Sequence, residues 1–185
     1  MSRDIAAIHN RCSEKVVKIK APLLSAGFVL ACSIAGVVQA TPPPDQTVPQ
    51  LQYAWEESVD LDASQVIGRT GTGYAFTVPI TGGTFSGPSI EGTIVPGGAD
   101  YQLKDHDGVF HVNAIYMLKT SDGQYIKVEN DGVVHYDPNG LIYFYTQPKF
   151  VAGPGKYAYL NDTIFVGRGL FQGAKLIIRF YQIVQ

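Results

Sequence analysis

The chain has 185 residues, is 45% hydrophobic and 16% charged, and carries a formal net charge of −2. Five of its 14 basic and two of its 16 acidic side chains fall in the first forty residues, leaving 9 against 14, a net −5 with no basic cluster, which argues against nucleic acid and anionic membrane surfaces as partners. Both cysteines, Cys12 and Cys32, lie in the same opening stretch, so the rest of the chain has no disulfide, thiol catalysis or cysteine-ligated metal.

Residues 1–40 read as a signal peptide. Arg3, Arg11, Lys15, Lys18 and Lys20 make a positive start, and Ala21 to Val38 is uncharged and apolar or small. Val38-Gln39-Ala40 is a small-x-small cleavage signal, and the prolines of Thr41-Pro42-Pro43-Pro44 stop any helix. The apolar run is short for a spanning helix. The expected product is exported, periplasmic or secreted, with no stable membrane span after cleavage. A retained anchor, or a lipoprotein held through Cys32 in Val29-Leu30-Ala31-Cys32, are the alternatives. Residues 41–50 form a Pro-rich flexible tether, and 51–185 a single domain long enough to bury a core.

The domain opens with a strand at Leu51 to Trp55, extended by Val59 and Leu61. A polar loop over 67–73 leads to a strand from Tyr74 to Ile80, which Gly82-Gly83 breaks. Thr84 to Ser86 and Ser89 to Val95 pair around Gly87-Pro88, Pro96-Gly97-Gly98 turns tightly, and Ala99 to Leu103 re-enters the sheet. A long strand from Val109 to Thr120 meets a hairpin signal at Ser121-Asp122-Gly123 and returns over Gln124 to Asn130. Asp131-Gly132 and Asp137-Pro138-Asn139-Gly140 turn on either side of a short strand, Val133 to Tyr136. Leu141 to Thr146 is an aromatic strand broken by Pro148. Tyr159 to Gly167 and Ala174 to Val184 are the last strands. No stretch holds a helical period. The pattern is an all-β antiparallel meander, barrel or sandwich.

On the long strand, Phe110, Val112, Ala114, Tyr116 and Leu118 share one face, and His111, Asn113, Ile115 and Lys119 the other. Tyr143 and Tyr145 share a face of the aromatic strand. In a barrel interior such tyrosines give apolar walls with hydroxyl handles; the alternative is packing at the core rim. Asp100 and Tyr101 leave a Gly-Gly turn. Asp100 is either a carboxylate at the barrel mouth, acting as a base, or a cap on its own turn. Asn130 and Asn161 are candidate pocket amides, with a turn and a strand-start bond as the structural alternatives. Asn161-Asp162-Thr163 also fits a glycosylation acceptor. His106, His111 and His135 are too widely spaced to read as a metal site, so no metal or cofactor is expected. No nucleophile elbow or phosphate loop can be read.

Gly82 to Gly87, Gly92 and Pro96-Gly-Gly-Ala-Asp-Tyr101 resemble an uncharacterised family of small β-barrel proteins, domain of unknown function 3237. The resemblance continues through Tyr116 to Thr120, Val128 to Gly132, Tyr143 to Phe150, Tyr157 to Asn161 and Ile164 to Gly167. It implies a closed or nearly closed antiparallel barrel with an internal cavity, and no established reaction. Members often carry Trp where Tyr101 and Tyr159 stand, Arg where Ile115 and Tyr145 stand, and an acid where Asn113 stands, so a ligand here would be less charged and more aromatic. The expected function is binding of an apolar or aromatic small molecule, with Asp100, Tyr101, Tyr116, Asn130, Tyr143, Tyr145 and Asn161 as the site. The alternative is a cofactor-independent lyase, isomerase or cyclase using Asp100 and a tyrosine. Asp100 inside a cavity with a raised pKa favours the enzyme. An outer-membrane barrel fits poorly, because several strands are short for a tilted span. A homo-oligomer stays open.

Overall fold

Alternation of apolar and polar residues puts one side of each strand inward and the other outward, and the sheet closes on itself to bury the inward side. The computed structural model describes residues 48–185; the leader and most of the tether lie outside them. Strands are β1 (Gln50–Leu61), β2 (Gln65–Thr70), β3 (Gly73–Ser86), β4 (Glu91–Lys104), β5 (Phe110–Thr120), β6 (Tyr125–Asp137), β7 (Gly140–Ala152), β8 (Phe165–Gln172) and β9 (Lys175–Val184). A 3₁₀ turn, Ala158–Asn161, precedes β8. The order is β1-β9-β8-β7-β6-β5-β4-β3-β2, every pairing is antiparallel, and β1 also pairs with β3. That pairing closes an eight-stranded barrel, with β2 continuing along the edge of β3 beyond β1.

The punctuating residues bend strands where the sequence suggested they end. Gly82-Gly83 and Pro96-Gly97-Gly98 are bulges inside β3 and β4, with register shifts between Ile80 and Thr84 and between Val95 and Ala99. At Gly83 (φ 136°) a Cβ would lie 2.2 Å from the Ser58 carbonyl oxygen, so only glycine lets β1 approach and close the barrel. Asp131-Gly132 runs straight through β6, and Pro148 through β7. Pro148 is tolerated because β7 registers with β8 only at Tyr145 and Thr146, so no β8 ladder bond is lost there. Residues 159–161, expected as strand, lie in the 3₁₀ turn, and 67–70, expected as loop, belong to β2.

One half of the barrel is plugged. Trp55 on β1 is fully buried, its ring centroid 5.2 Å from Phe150, 5.4 Å from Phe165 and 5.0 Å from Phe180. Leu118, Ile126 and Val128 fill in beside them, and Ile90 and Leu160 close the end from the β3–β4 loop and the 3₁₀ turn. Burial of four large aromatic side chains contributes several kcal/mol. The other half stays open, and there small and polar side chains stand among the apolar ones on the inward face.

Candidate active site

Two inward rows define the open half. Across β4, β5 and β6, Asp100 stands opposite Ala114, and Ala114 opposite Asn130. Across β4 to β8, Gln102, Val112, Gly132, Thr146 and Gly167 follow in register. Ala114 and Gly132 leave space between larger neighbours. A narrow chamber of about 30 Å³ lies there, lined by Asp100, Tyr116, Asn130 and Thr146 among apolar side chains that include Val112 and Phe144. A vestibule of about 240 Å³ shares Asp100, Val112 and Phe144 and is bounded by Phe110, Tyr136 and Phe171. Phe144 lies flat on Gly169, where a Cβ would sit 2.3 Å from its ring.

Asp100 does not cap its own turn. Its Oδ1 accepts the Asn113 backbone N–H at 3.0 Å and its Oδ2 accepts Gln102 Nε2–H at 2.6 Å. Burial outweighs both bonds and pushes the carboxyl up to about 6. Below the chamber, Glu57 on β1 is completely buried. Tyr116 Oη–H donates to its Oε2 at 2.7 Å, and Trp55 Nε1–H donates to its Oε1 at 3.1 Å. Burial raises the Glu57 carboxyl to about 7 against those bonds. Burial, then the Glu57 charge, hold the Tyr116 phenol well above its ordinary value, so it stays protonated. Asn130 Oδ1 and Thr146 Oγ1, both buried, have no hydrogen-bond partner among the described residues. An unsatisfied buried polar atom costs about 1–3 kcal/mol, and two in one chamber mark a place for a polar ligand atom.

The structure divides the residues singled out from sequence. Asp100, Tyr116 and Asn130 meet in the lumen. Tyr101, Tyr143 and Tyr145 do not: they are 54%, 46% and 40% exposed. The physical reason is strand parity, because Phe144 and Thr146 take the inward positions of β7 and turn both neighbouring tyrosines outward. Together with Asn113 and Asp131, which are hydrogen-bonded to each other, those tyrosines line a separate outer trough of about 590 Å³. Asn161 lies at the plugged end, where its Nδ2–H donates to the Ala152 carbonyl at 3.1 Å and its Oδ1 accepts the Ala152 N–H at 2.9 Å, tying the 3₁₀ turn to β7. His111 pairs with Asp105 at 2.9 Å, His106 lies 3.3 Å from the Gly71 carbonyl, and His135 packs edge-on against Tyr143. Sequence reasoning passed over Glu57 and Thr146. Both were reachable by counting in twos, Glu57 between inward Trp55 and Val59, Thr146 between Phe144 and Pro148.

A closed antiparallel barrel with a half-filled lumen agrees with what the sequence blocks from Gly82 to Gly167 suggested. Residues 49–183 match the family described as "Protein of unknown function (DUF3237)". The chain belongs to this family. A UPF0311 protein of Rhodopseudomonas palustris (strain TIE-1) is 31% identical over 149 residues, 73% of this chain and 97% of that one. The crystal structure of a "beta-barrel like protein" from Acinetobacter baumannii aligns with a TM-score of 0.69 at 32% identity, over 79% of this chain and 100% of that one. A Penicillium herquei protein named "Hydroalkoxylation enzyme phnH" is 26% identical over 90 residues, 49% of this chain and 60% of that protein. The crystal structure of an enzyme from the same fungus shares the fold, with a TM-score of 0.63 at 23% identity over 79% of this chain and 100% of that one.

Proposed function

We propose that this chain is an enzyme that moves protons on an apolar, hydroxyl-bearing small molecule held in the open half of the barrel, a lyase, isomerase or cyclase working with its own side chains. The observation that carries the reading is the chamber itself. A buried carboxyl, Asp100, shares it with a tyrosine hydroxyl and with the unpartnered Asn130 Oδ1 and Thr146 Oγ1. The apolar vestibule takes the body of the molecule, while Asn130 and Thr146 fix its oxygen and Asp100 accepts its proton. Asp100, raised to about 6, is ionised at neutral pH and close enough to that pH to return the proton. The name of the fungal relative supports this class. Hydroalkoxylation adds an O–H across a carbon–carbon double bond, which needs one proton taken from oxygen and one delivered to carbon. The positive start and uncharged apolar run of residues 1–40 support an exported setting for this chemistry.

Native mass spectrometry on wild type and Asp100→Asn, each purified from the native source, tests the reading. An apolar hydroxyl compound retained by the variant, and an isomer or water adduct of it released by wild type, is the expected outcome. The same unaltered compound on both proteins would make the barrel a carrier, the second reading that its apolar walls support.

A further inference from the structure

Glu57 has no part in the reading above, yet it is the most deeply buried charged group of the barrel. It faces no cation. Within the barrel it stands opposite Phe85 on β3 and Ile178 on β9, and its polar contacts are Trp55 and Tyr116. The other acid nearby is Asp100, whose charge reaches Tyr116 from across the chamber. A carboxyl with no counter-charge at the foot of an apolar core is expensive where Leu or Met would pack. Packing therefore gives no reason for it.

The two contacts make the group directional. Trp55 Nε1 is only ever a donor, so it holds Oε1 as an acceptor in both protonation states. A proton on Glu57 belongs on Oε2, because there it meets an acceptor, Tyr116 Oη, and on Oε1 it would face only the Trp55 donor. With Glu57 ionised, Tyr116 donates to Oε2 and its hydrogen points down, away from the chamber. With Glu57 neutral, Oε2–H donates to Tyr116 Oη, and the phenol hydrogen is released to point up into the chamber that Tyr116 lines.

We propose that Glu57 is a positioning residue that stores the proton for the reaction and, by giving it to Tyr116, makes that tyrosine the proton donor opposite Asp100. This rests on the proton-transfer reading of the chamber. In the cycle, the substrate hydroxyl loses its proton to Asp100, and the oxygen's electron pair forms the new bond to carbon. The double bond's electrons take the Tyr116 proton at the other carbon, and Tyr116 is refilled at once from Glu57. Asp100 ends neutral and Glu57 ionised. One proton returning from Asp100 to Glu57 through solvent at the vestibule resets the pair, with no net charge change. Burial sets the two carboxyls in the order this needs, Asp100 the stronger acid and Glu57 the weaker.

The test uses 4-fluorophenol as a probe, its ¹⁹F signal followed across neutral pH on the full domain. Wild type should show two titrations of the bound signal. Asp100→Asn should lose the one at lower pH, and Glu57→Gln the one at higher pH. In Glu57→Gln the amide oxygen still accepts from Trp55, and its N–H donates to Tyr116 Oη. The bound signal should therefore stay locked at the value wild type shows with Glu57 neutral, a lock that a structural role would not produce. A higher-pH titration that persists unchanged in Glu57→Gln or in Tyr116→Phe overturns the proposal. If 4-fluorophenol does not bind, the chamber reading fails. Glu57 is then judged alone, by ¹³C-carboxyl titration of the free protein. A near-neutral midpoint that moves in Tyr116→Phe sustains the coupling, and one that does not move ends it.

Discussion

Asp100→Asn should stabilise this protein at alkaline pH and change little in acid. The carboxyl titrates at about 6 in the fold against 3.8 for an ordinary aspartate, because burial disfavours its charged form. The folded state thus holds the Asp100 proton more tightly than the unfolded chain does. The stability this contributes is complete below about pH 4, falls as pH rises toward 6, and is absent above it. At ~1.4 kcal/mol per pH unit the gap is roughly 3 kcal/mol. Asparagine has the same shape and no charge to bury. Its Oδ1 can still accept from the Asn113 N–H, and its Nδ2 can donate to Gln102 once that half-buried amide flips. Urea unfolding of wild type and Asp100→Asn at several pH values reads the difference. The variant's advantage should be small at pH ~4 and grow to about 2–3 kcal/mol by pH ~8. An offset between the two proteins that is the same at both ends would refute a buried, pKa-shifted carboxyl. Wild type should also keep losing stability between 6 and 7, where Glu57 titrates by the same sign, and Glu57→Gln should flatten that part of the curve.

Thr146→Val removes a buried hydroxyl that has no partner and keeps the volume, so it should raise stability by about 1 kcal/mol in denaturant unfolding while weakening any ligand held through oxygen. Gly169→Ala would drive a methyl into the Phe144 ring, costing about 1–3 kcal/mol and tilting that ring into the chamber; loss of 4-fluorophenol binding beyond the loss of stability checks it. Tyr145→Phe changes a hydroxyl outside the barrel and should leave both stability and chamber binding within error.

Much of the fold was legible because its signals are local. Strands with period two, turn dipeptides at Asp122-Gly123 and Asn139-Gly140, and the absence of a helical period gave an antiparallel meander with most boundaries near their true places. The strand breaks misread from sequence share one cause. Gly82-Gly83, Pro96-Gly97-Gly98, Asp131-Gly132 and Pro148 are strong local breakers, yet each sits inside a strand whose neighbours in the closed sheet override the local preference. The site was half legible. Asp100, Tyr116 and Asn130 do reach the lumen, whereas the tyrosine pair on β7, read as lumen wall or core rim, lies outside. Which face of a strand looks inward is decided by the register of the whole barrel. A single aromatic strand, Ile142-Tyr143-Phe144-Tyr145, reads equally well both ways.

The inward register carries more than orientation. In the plugged half its members are Trp55, Phe150, Phe165 and Phe180, large enough to fill the lumen without polar help. In the open half three polar members sit beside small ones: Asp100 and Asn130 flank Ala114, and Thr146 lies between Gly132 and Gly167. The pairing has a physical basis. A buried polar group without a protein partner is tolerated only where something polar can reach it, and reach requires space that a small neighbour supplies. Size and polarity must change together along the same face for a barrel this narrow to hold a chamber at all. Glu57 marks the boundary, fully enclosed like the aromatic plug, yet joined to the chamber through the Tyr116 hydroxyl.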